Sequence, residues 1–125
     1  MRWNRSKIVW LILLFSLTIA CRLFDCENEV KVNGLRSTDG ERRAFVFMRN
    51  CGATVGVNTQ VSLLQASEDL PNVSGNAFIC DQPLDSVQIN WVNAYTLQII
   101  YPEKAKIFLQ RDALAGARIS YVAKP

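Results

Sequence analysis

Apolar and polar residues alternate along short stretches through most of the chain after residue 20, and this pattern constrains the fold most strongly. Val87, Ile89 and Trp91 alternate with Gln88 and Asn90, and the same period recurs over residues 96–101. A period of two places every second side chain on one face of a β-strand. After residue 20 there is no sustained 3.6-residue period of the kind that an amphipathic helix shows. The pattern therefore predicts an all-β domain.

Turn signals divide this domain into short strands. Asp39-Gly40 is typical of a hairpin turn, and Asn93-Ala94 separates the two clearest alternating stretches. Residues 42–49 are apolar on both faces in the middle, which predicts a central strand. About seven strands over residues 30–125 predict a single small antiparallel sandwich or partial barrel.

The first 20 residues differ from the rest of the chain. Arg2, Arg5 and Lys7 precede an uncharged apolar run over residues 8–20. This run is about 13 residues long, whereas a helix needs roughly 20 to cross the hydrocarbon core of a bilayer. A basic head, a short apolar stretch and small residues at its end are typical of a signal peptide. We therefore expect residues 1–20 to direct export.

The end of this segment, Leu17-Thr18-Ile19-Ala20-Cys21, resembles the lipobox of bacterial lipoproteins. The resemblance implies cleavage after Ala20 and a lipid anchor on Cys21, with residues 21–29 as a tether and the membrane as a partner. Arg22 stands where an Asp would favour retention at the inner membrane, so the resemblance favours the periplasmic side of an outer membrane. The alternative is simple cleavage that leaves Cys21 as an ordinary thiol.

The charge of the chain argues against a nucleic-acid partner. Lys and Arg total 14 against 11 Asp and Glu, but three of the basic residues lie within the first seven positions. The remaining domain is neutral. Binding to nucleic acid requires a surplus of Lys and Arg on the domain itself.

Four cysteines are placed along the chain: Cys21, Cys26, Cys51 and Cys80. An oxidising compartment favours disulfides. With Cys21 lipidated and Cys26 in the tether, we expect Cys51 to pair with Cys80. Two alternatives stay open: both are buried thiols, or Cys21 pairs with Cys26 if Cys21 carries no lipid.

Several short motifs resemble a set of small bacterial proteins of unknown function. They are CGATVGVNTQVSLL at 51–64, GNAFI at 75–79, WVNAYTLQIIY at 91–101 and ARISY at 117–121. The resemblance covers most of residues 38–121, although Val55 stands where that set usually has Thr. It implies a single β-rich unit and no particular activity.

The chain contains no histidine. Ser-His-Asp and Cys-His catalysis need an imidazole base, and the common hydrolytic zinc sites use histidine ligands. We therefore expect no catalytic residue, no metal and no cofactor. The acids Glu68, Asp69, Asp81 and Asp85 fall in polar or proline-containing loops, which favours solvated loop acids over a carboxylate pair of the glycosidase type.

The loop over residues 51–60 is the best candidate binding site. Its glycines permit a ligand to approach the backbone closely, and its polar side chains are short and uncharged. The same residues also make a tight connection between strands, and the pattern favours this structural interpretation over a binding site. The candidate residues are Gly52, Thr54, Gly56, Asn58, Thr59 and Gln60.

Together these features predict a non-enzymatic envelope lipoprotein that binds or supports another envelope protein. The first alternative is an inhibitor or immunity-type protein that blocks a hydrolase or toxin with a protruding loop. The second is a small carboxylate hydrolase. The sequence does not fix the oligomeric state.

Overall fold

A computed structural model describes residues 25–52 and 55–125. The predicted signal peptide and Cys21 lie outside the described residues. Two sheets enclose a common core, which confirms the all-β prediction. The described strands are β1 (Glu27–Arg36), β2 (Arg42–Asn50), β3 (Thr59–Gln65), β4 (Phe78–Cys80), β5 (Gln88–Asn93), β6 (Thr96–Pro102), β7 (Ile107–Gln110), β8 (Ala113–Leu114) and β9 (Ala117–Lys124).

The first sheet has the strand order β1-β2-β3-β4-β7, and the second has the order β5-β6-β9-β8. All pairs in both sheets are antiparallel except β6 and β9, which run parallel. The parallel pair arises because the chain leaves the second sheet after β6, adds β7 to the edge of the first sheet, and returns through the β8–β9 hairpin. The two sheets are therefore mostly antiparallel, as predicted, with this one parallel pair.

Turn chemistry fixes the two hairpins that the sequence predicts. In the β1–β2 turn, Gly40 has a φ of 73°, and the Ser37 hydroxyl donates to Asp39 Oδ1 over 2.6 Å. That bond and the Glu41 N–H lower the pKa of Asp39, because both stabilise the carboxylate. In the β5–β6 turn, the Tyr95 N–H donates to Asn93 Oδ1.

The interior of the sandwich is filled by alternate residues of both sheets. Phe78 of β4 is fully buried, with its ring centroid 5.4 Å from that of Tyr101 and 5.7 Å from that of Tyr121. Burial raises the pKa of Tyr121 to about 12, and its hydroxyl donates to the Arg111 carbonyl. The fully or almost fully buried residues of this interior cluster are Ala44, Val46, Val61, Leu63, Ala77, Phe78, Cys80, Val87, Leu97, Ile99, Ala117 and Ile119.

The disulfide prediction requires correction. Cys51 is bonded to Cys26, and Cys80 is a buried thiol whose pKa is raised by desolvation. The β1–β2 register explains the pairing, because Glu27 lies opposite Asn50, and the residue before Glu27 and the residue after Asn50 are both cysteines. Cys80 lies on β4, two strands from β2, and faces the interior. The prediction failed because it placed Cys26 in a tether, whereas β1 begins at the next residue.

Residues 27–29 of the predicted tether belong to β1, and Cys26 is held by the disulfide, whereas residues 21–24 lie outside the described residues. Across residues 25–52 and 55–125, no helix is long and apolar enough to span a membrane.

Candidate functional site: a groove on the outer face of the first sheet

The outer face of the first sheet carries a second apolar cluster. Residues alternate in β2, so Ala44 and Val46 face the interior while Phe45 and Phe47 face outward. The outward side chains are nevertheless buried, because Leu64 of β3 packs beside them and Leu70 of the 66–76 loop covers them. This set, Phe45, Phe47, Leu64 and Leu70, is termed the outer cluster.

The covering loop contacts β1 near Asn28 but leaves Val30 and Asn33 uncovered. Val30 of β1 lies directly opposite Phe47 of β2, yet Val30 is 43% exposed and Phe47 is fully buried. Asn33 lies opposite Phe45 and is likewise exposed. The boundary between covered and uncovered strands forms a groove of about 500 Å³ along β1, which is within the range of ligand sites in proteins.

Arg43 closes one end of the groove. Its guanidinium lies 5.0 Å from the centre of the Phe45 ring, donates to the Glu68 carbonyl over 3.2 Å, and is 3.7 Å from the carboxylate of Asp69. Gly34 makes room for it: the residue has a φ of 82°, and a Cβ there would lie 2.5 Å from Arg43 Nε. Only glycine meets both requirements without strain.

Asparagine side chains join the loop to β1 at the other end. Asn28 Nδ2 donates to the carbonyls of Pro71 and Val73, each over 3.2 Å, and Asn72 Nδ2 donates to the Cys26 carbonyl over 2.9 Å. The Arg49 guanidinium donates to the side-chain oxygens of both asparagines, over 2.8 and 3.0 Å.

This network lies beside the Cys26–Cys51 disulfide, so hydrogen bonds and a covalent bond fix the wall formed by β1.

Few polar groups along the groove remain available to a ligand. Within the described part of the chain, the side chain of Asn33 makes no hydrogen bond and that of Glu27 no ion pair. Asp69 is fully exposed and only loosely paired with Arg43. The groove therefore offers an apolar floor at Val30, a free amide in the middle and a carboxylate near each end.

The 51–60 loop, predicted from sequence as a binding loop, uses most of its described polar groups internally. Asn58 pairs with the backbone of Arg49 through both its Oδ1 and its Nδ2. The Thr59 hydroxyl donates to the Gln82 carbonyl over 2.7 Å, and Gln60 Oε1 accepts from the Gly75 N–H. Both residues belong to β3 and are buried.

The glycines of this loop have different environments. Gly52 has a φ of 109°, whereas Gly56 does not have a positive φ and has open space around it. Thr54 lies outside the described residues.

Two stretches singled out in the sequence, residues 59–64 and 75–79, are explained by local packing. Asn76 Oδ1 accepts from the Leu63 N–H and its Nδ2 donates to the Leu63 carbonyl, so this side chain replaces a neighbouring strand. A Cβ at Gly75 would lie 2.9 Å from the Val61 carbonyl oxygen, which accounts for glycine there. Ser62 accepts from the Asn76 N–H. These residues fix the start of β4 and the loop that covers the outer cluster.

The acidic residues considered for hydrolysis have separate partners. Asp81 accepts from Gln82 and from the Lys106 N–H, and both bonds lower its pKa. Asp85 is paired with Lys31 over 2.9 Å on the surface, and Asp69 with Arg43. No group of three or more potential metal ligands occurs within the described ranges.

Sequence reasoning missed the groove residues Asn28, Asn33, Arg43 and Asn72. The one available signal was Leu70-Pro71, an apolar pair in the middle of a polar loop. Such a pair indicates that the loop packs against something.

No family model matches this chain, and neither a curated protein nor a solved structure matches it. Function is therefore inferred from the residues and their geometry.

Proposed function

We propose that this chain is an exported, lipid-anchored envelope protein without catalytic activity, and that its groove binds an extended peptide segment of another envelope protein. Cys21 is the proposed anchor, on the periplasmic side of the outer membrane where the cell has one. The main support for a binding role is the change in side-chain exposure between β1 and β2, where the exposed Val30 lies opposite the fully buried Phe47.

The shape and chemistry of the groove favour an extended peptide. From Glu27 to Asn33 the groove follows β1 over about 20 Å, since a strand rises about 3.3 Å per residue. An extended peptide alternates its side chains, so an apolar residue fits the Val30 floor while its backbone meets the Asn33 amide. Glu27 favours a Lys or Arg beside that apolar residue.

The disulfide supports export. Protein disulfides persist in oxidising compartments outside the cytoplasm and are rare within it. The Cys26–Cys51 bond also holds the start of β1, which forms one wall of the groove. A rigid wall reduces the ordering cost of binding.

The inhibitor alternative receives no comparable support. A protruding 51–60 or 67–75 loop would favour it, whereas the 66–76 loop packs back onto the sheet through Leu70 and Asn72. Most of the described polar groups of the 51–60 loop form hydrogen bonds within the chain. The hydrolase alternative lacks a described pair of acids held by each other, because Asp81, Asp85 and Asp69 have separate partners.

Photocrosslinking in living bacterial cells tests the proposal. A photoreactive phenylalanine analogue replaces Val30 in the groove or, as the matched control, Val122 on β9. These two valines are 43% and 38% exposed, respectively. We expect a defined protein adduct from position 30 and none from position 122, with the attachment point in an extended segment of the partner. Equal adducts at both positions, none at position 30, or an adduct that contains no peptide would contradict the proposal.

A further inference from the structure

The Cys26–Cys51 disulfide brings the folded domain close to its proposed anchor. Cys21 and Cys26 are five residues apart, so the chain between them spans about 17 Å at full extension. Without the bridge, β1 would be free to fray and the effective tether would lengthen. With the bridge, Cys51 at the end of β2 also lies within reach of the anchored residue.

Three exposed valines lie on the two loops that meet at this end. Val55 and Val57 follow Cys51, and they are 44% and 56% exposed. Val73, 54% exposed, belongs to the 66–76 loop, and its carbonyl accepts from Asn28 near the start of β1. Arg49 joins the two loops, because its backbone pairs with Asn58 and its guanidinium holds Asn72.

We propose that this valine tip, formed by Val55, Val57 and Val73, lies against the lipid surface of the membrane that holds Cys21. The inference rests on the proposed lipid anchor. The short tether indicates that the valine tip contacts lipid. The tether holds the domain within about 17 Å of the bilayer, and any other partner would have to fit into that space. Exposed apolar side chains gain free energy at the boundary between headgroups and acyl chains.

The contact would orient the groove. The Glu27 end of the groove adjoins the valine tip. The Arg43 end is farther from that tip, because Arg43 precedes Arg49, which lies at the tip, by six residues along β2. The groove therefore runs away from the bilayer. A peptide bound there would extend outward from the membrane. The opposite end of the sandwich carries the β5–β6 turn, since Arg42 at the start of β2 donates to the Ala94 carbonyl.

A pair of tryptophan substitutions tests the orientation. Val57→Trp places a tryptophan on the valine tip and Val92→Trp places one on β5, near the far end. The two valines are equally exposed, at 56%. The full chain, with its own signal, is expressed in bacterial cells, purified in its lipidated form and reconstituted into vesicles of phosphatidylethanolamine and phosphatidylglycerol with brominated acyl chains. After subtraction of the Trp91 signal of the parent, we expect several-fold stronger quenching at position 57 than at position 92.

An unmodified chain provides the second measurement, since tryptophan itself favours the interface. Vesicles that contain a diazirine-labelled lipid should label peptides around residues 55–57 and 73 and spare residues 90–95.

Two outcomes would overturn the inference in different ways. If Cys21 is acylated and the protein floats with the vesicles, but quenching and labelling are equal at both ends, the valine tip does not contact lipid and the anchor still stands. If the chain does not float and Cys21 carries no lipid, the anchor fails, and the valine tip fails with it.

Discussion

The interior of the sandwich and its outer cluster are built from the same strand, yet they serve different purposes. Ala44 and Val46 of β2 face an interior closed on both sides by sheets, whereas Phe45 and Phe47 face a single loop. A sheet covers its neighbour completely, but a loop covers only the strands it crosses. The uncovered remainder, along β1, is the groove. In this fold, therefore, the well-packed region provides stability and the partly covered one provides a candidate site.

Truncation of the interior should have the largest effect on folding. Phe78→Ala removes a fully buried ring that contacts Tyr101 and Tyr121, and we expect it to lower the free energy of unfolding by about 4 kcal/mol. Urea denaturation followed by circular dichroism measures the change. A loss below about 1 kcal/mol would show that the two sheets do not share this core.

Loss of the disulfide should have the second-largest effect on stability. Apart from any thiol at Cys21, Cys26→Ser should raise the number of titratable thiols from one, that of Cys80, to two, those of Cys80 and Cys51. It should also lower stability by about 3 kcal/mol, because a closed loop with a separation of 25 residues is released in the unfolded chain. Thiol titration in denaturant and urea denaturation measure the two effects. Cys80→Ala is the control, since it leaves the bridge closed. If Cys80→Ala opened a bridge instead, the pairing described above would be wrong.

Leu70→Ala separates the two regions most clearly. Leu70 is only half-buried and covers the outer cluster from one side, so we expect a loss of about 1 to 2 kcal/mol. The crosslinked adduct at position 30 should nevertheless decline strongly, because the wall of the groove is lost. Phe78→Ala, studied at a temperature where it remains folded, should keep that adduct. The reverse result would mean that the outer cluster supports only the fold.

The smallest expected effect concerns Gly34, which leaves space for the Arg43 side chain. Gly34→Ala places an alanine in a left-handed backbone conformation and also displaces the Arg43 guanidinium. Gly40→Ala places an alanine in a similar conformation, but with open space around it. Each should cost about 1 kcal/mol of stability for the backbone conformation. Only Gly34→Ala should also weaken the adduct at position 30. Equal adduct yields in the two variants would remove Arg43 from the site.

The contrast between the two regions also explains which parts could be predicted from sequence. Alternation in β5 and β6 and the Asp39-Gly40 turn predict local structure, and the structure confirms them. The start of β1 and its pairing with β2 are set by tertiary contacts, which the sequence pattern does not show. Cys26 was therefore placed in the tether, and Cys51 was assigned the wrong partner.

The outer cluster escaped prediction for a related reason. Its cover is a loop with no period, fixed by side chains such as Asn76 that replace backbone partners. Asparagine in such a role has the same sequence signature as asparagine in any turn.

The intact mass of the chain extracted from bacterial membranes, without reductant, tests the central claim most directly. That claim is that the domain works outside the cytoplasm, held by lipid and closed by a disulfide that fixes one wall of the groove. The expected mass corresponds to a chain cleaved after Ala20, with acyl groups on residue 21 and two hydrogens fewer than the fully reduced form. A chain that begins at Met1, carries no lipid and has four free thiols would contradict it.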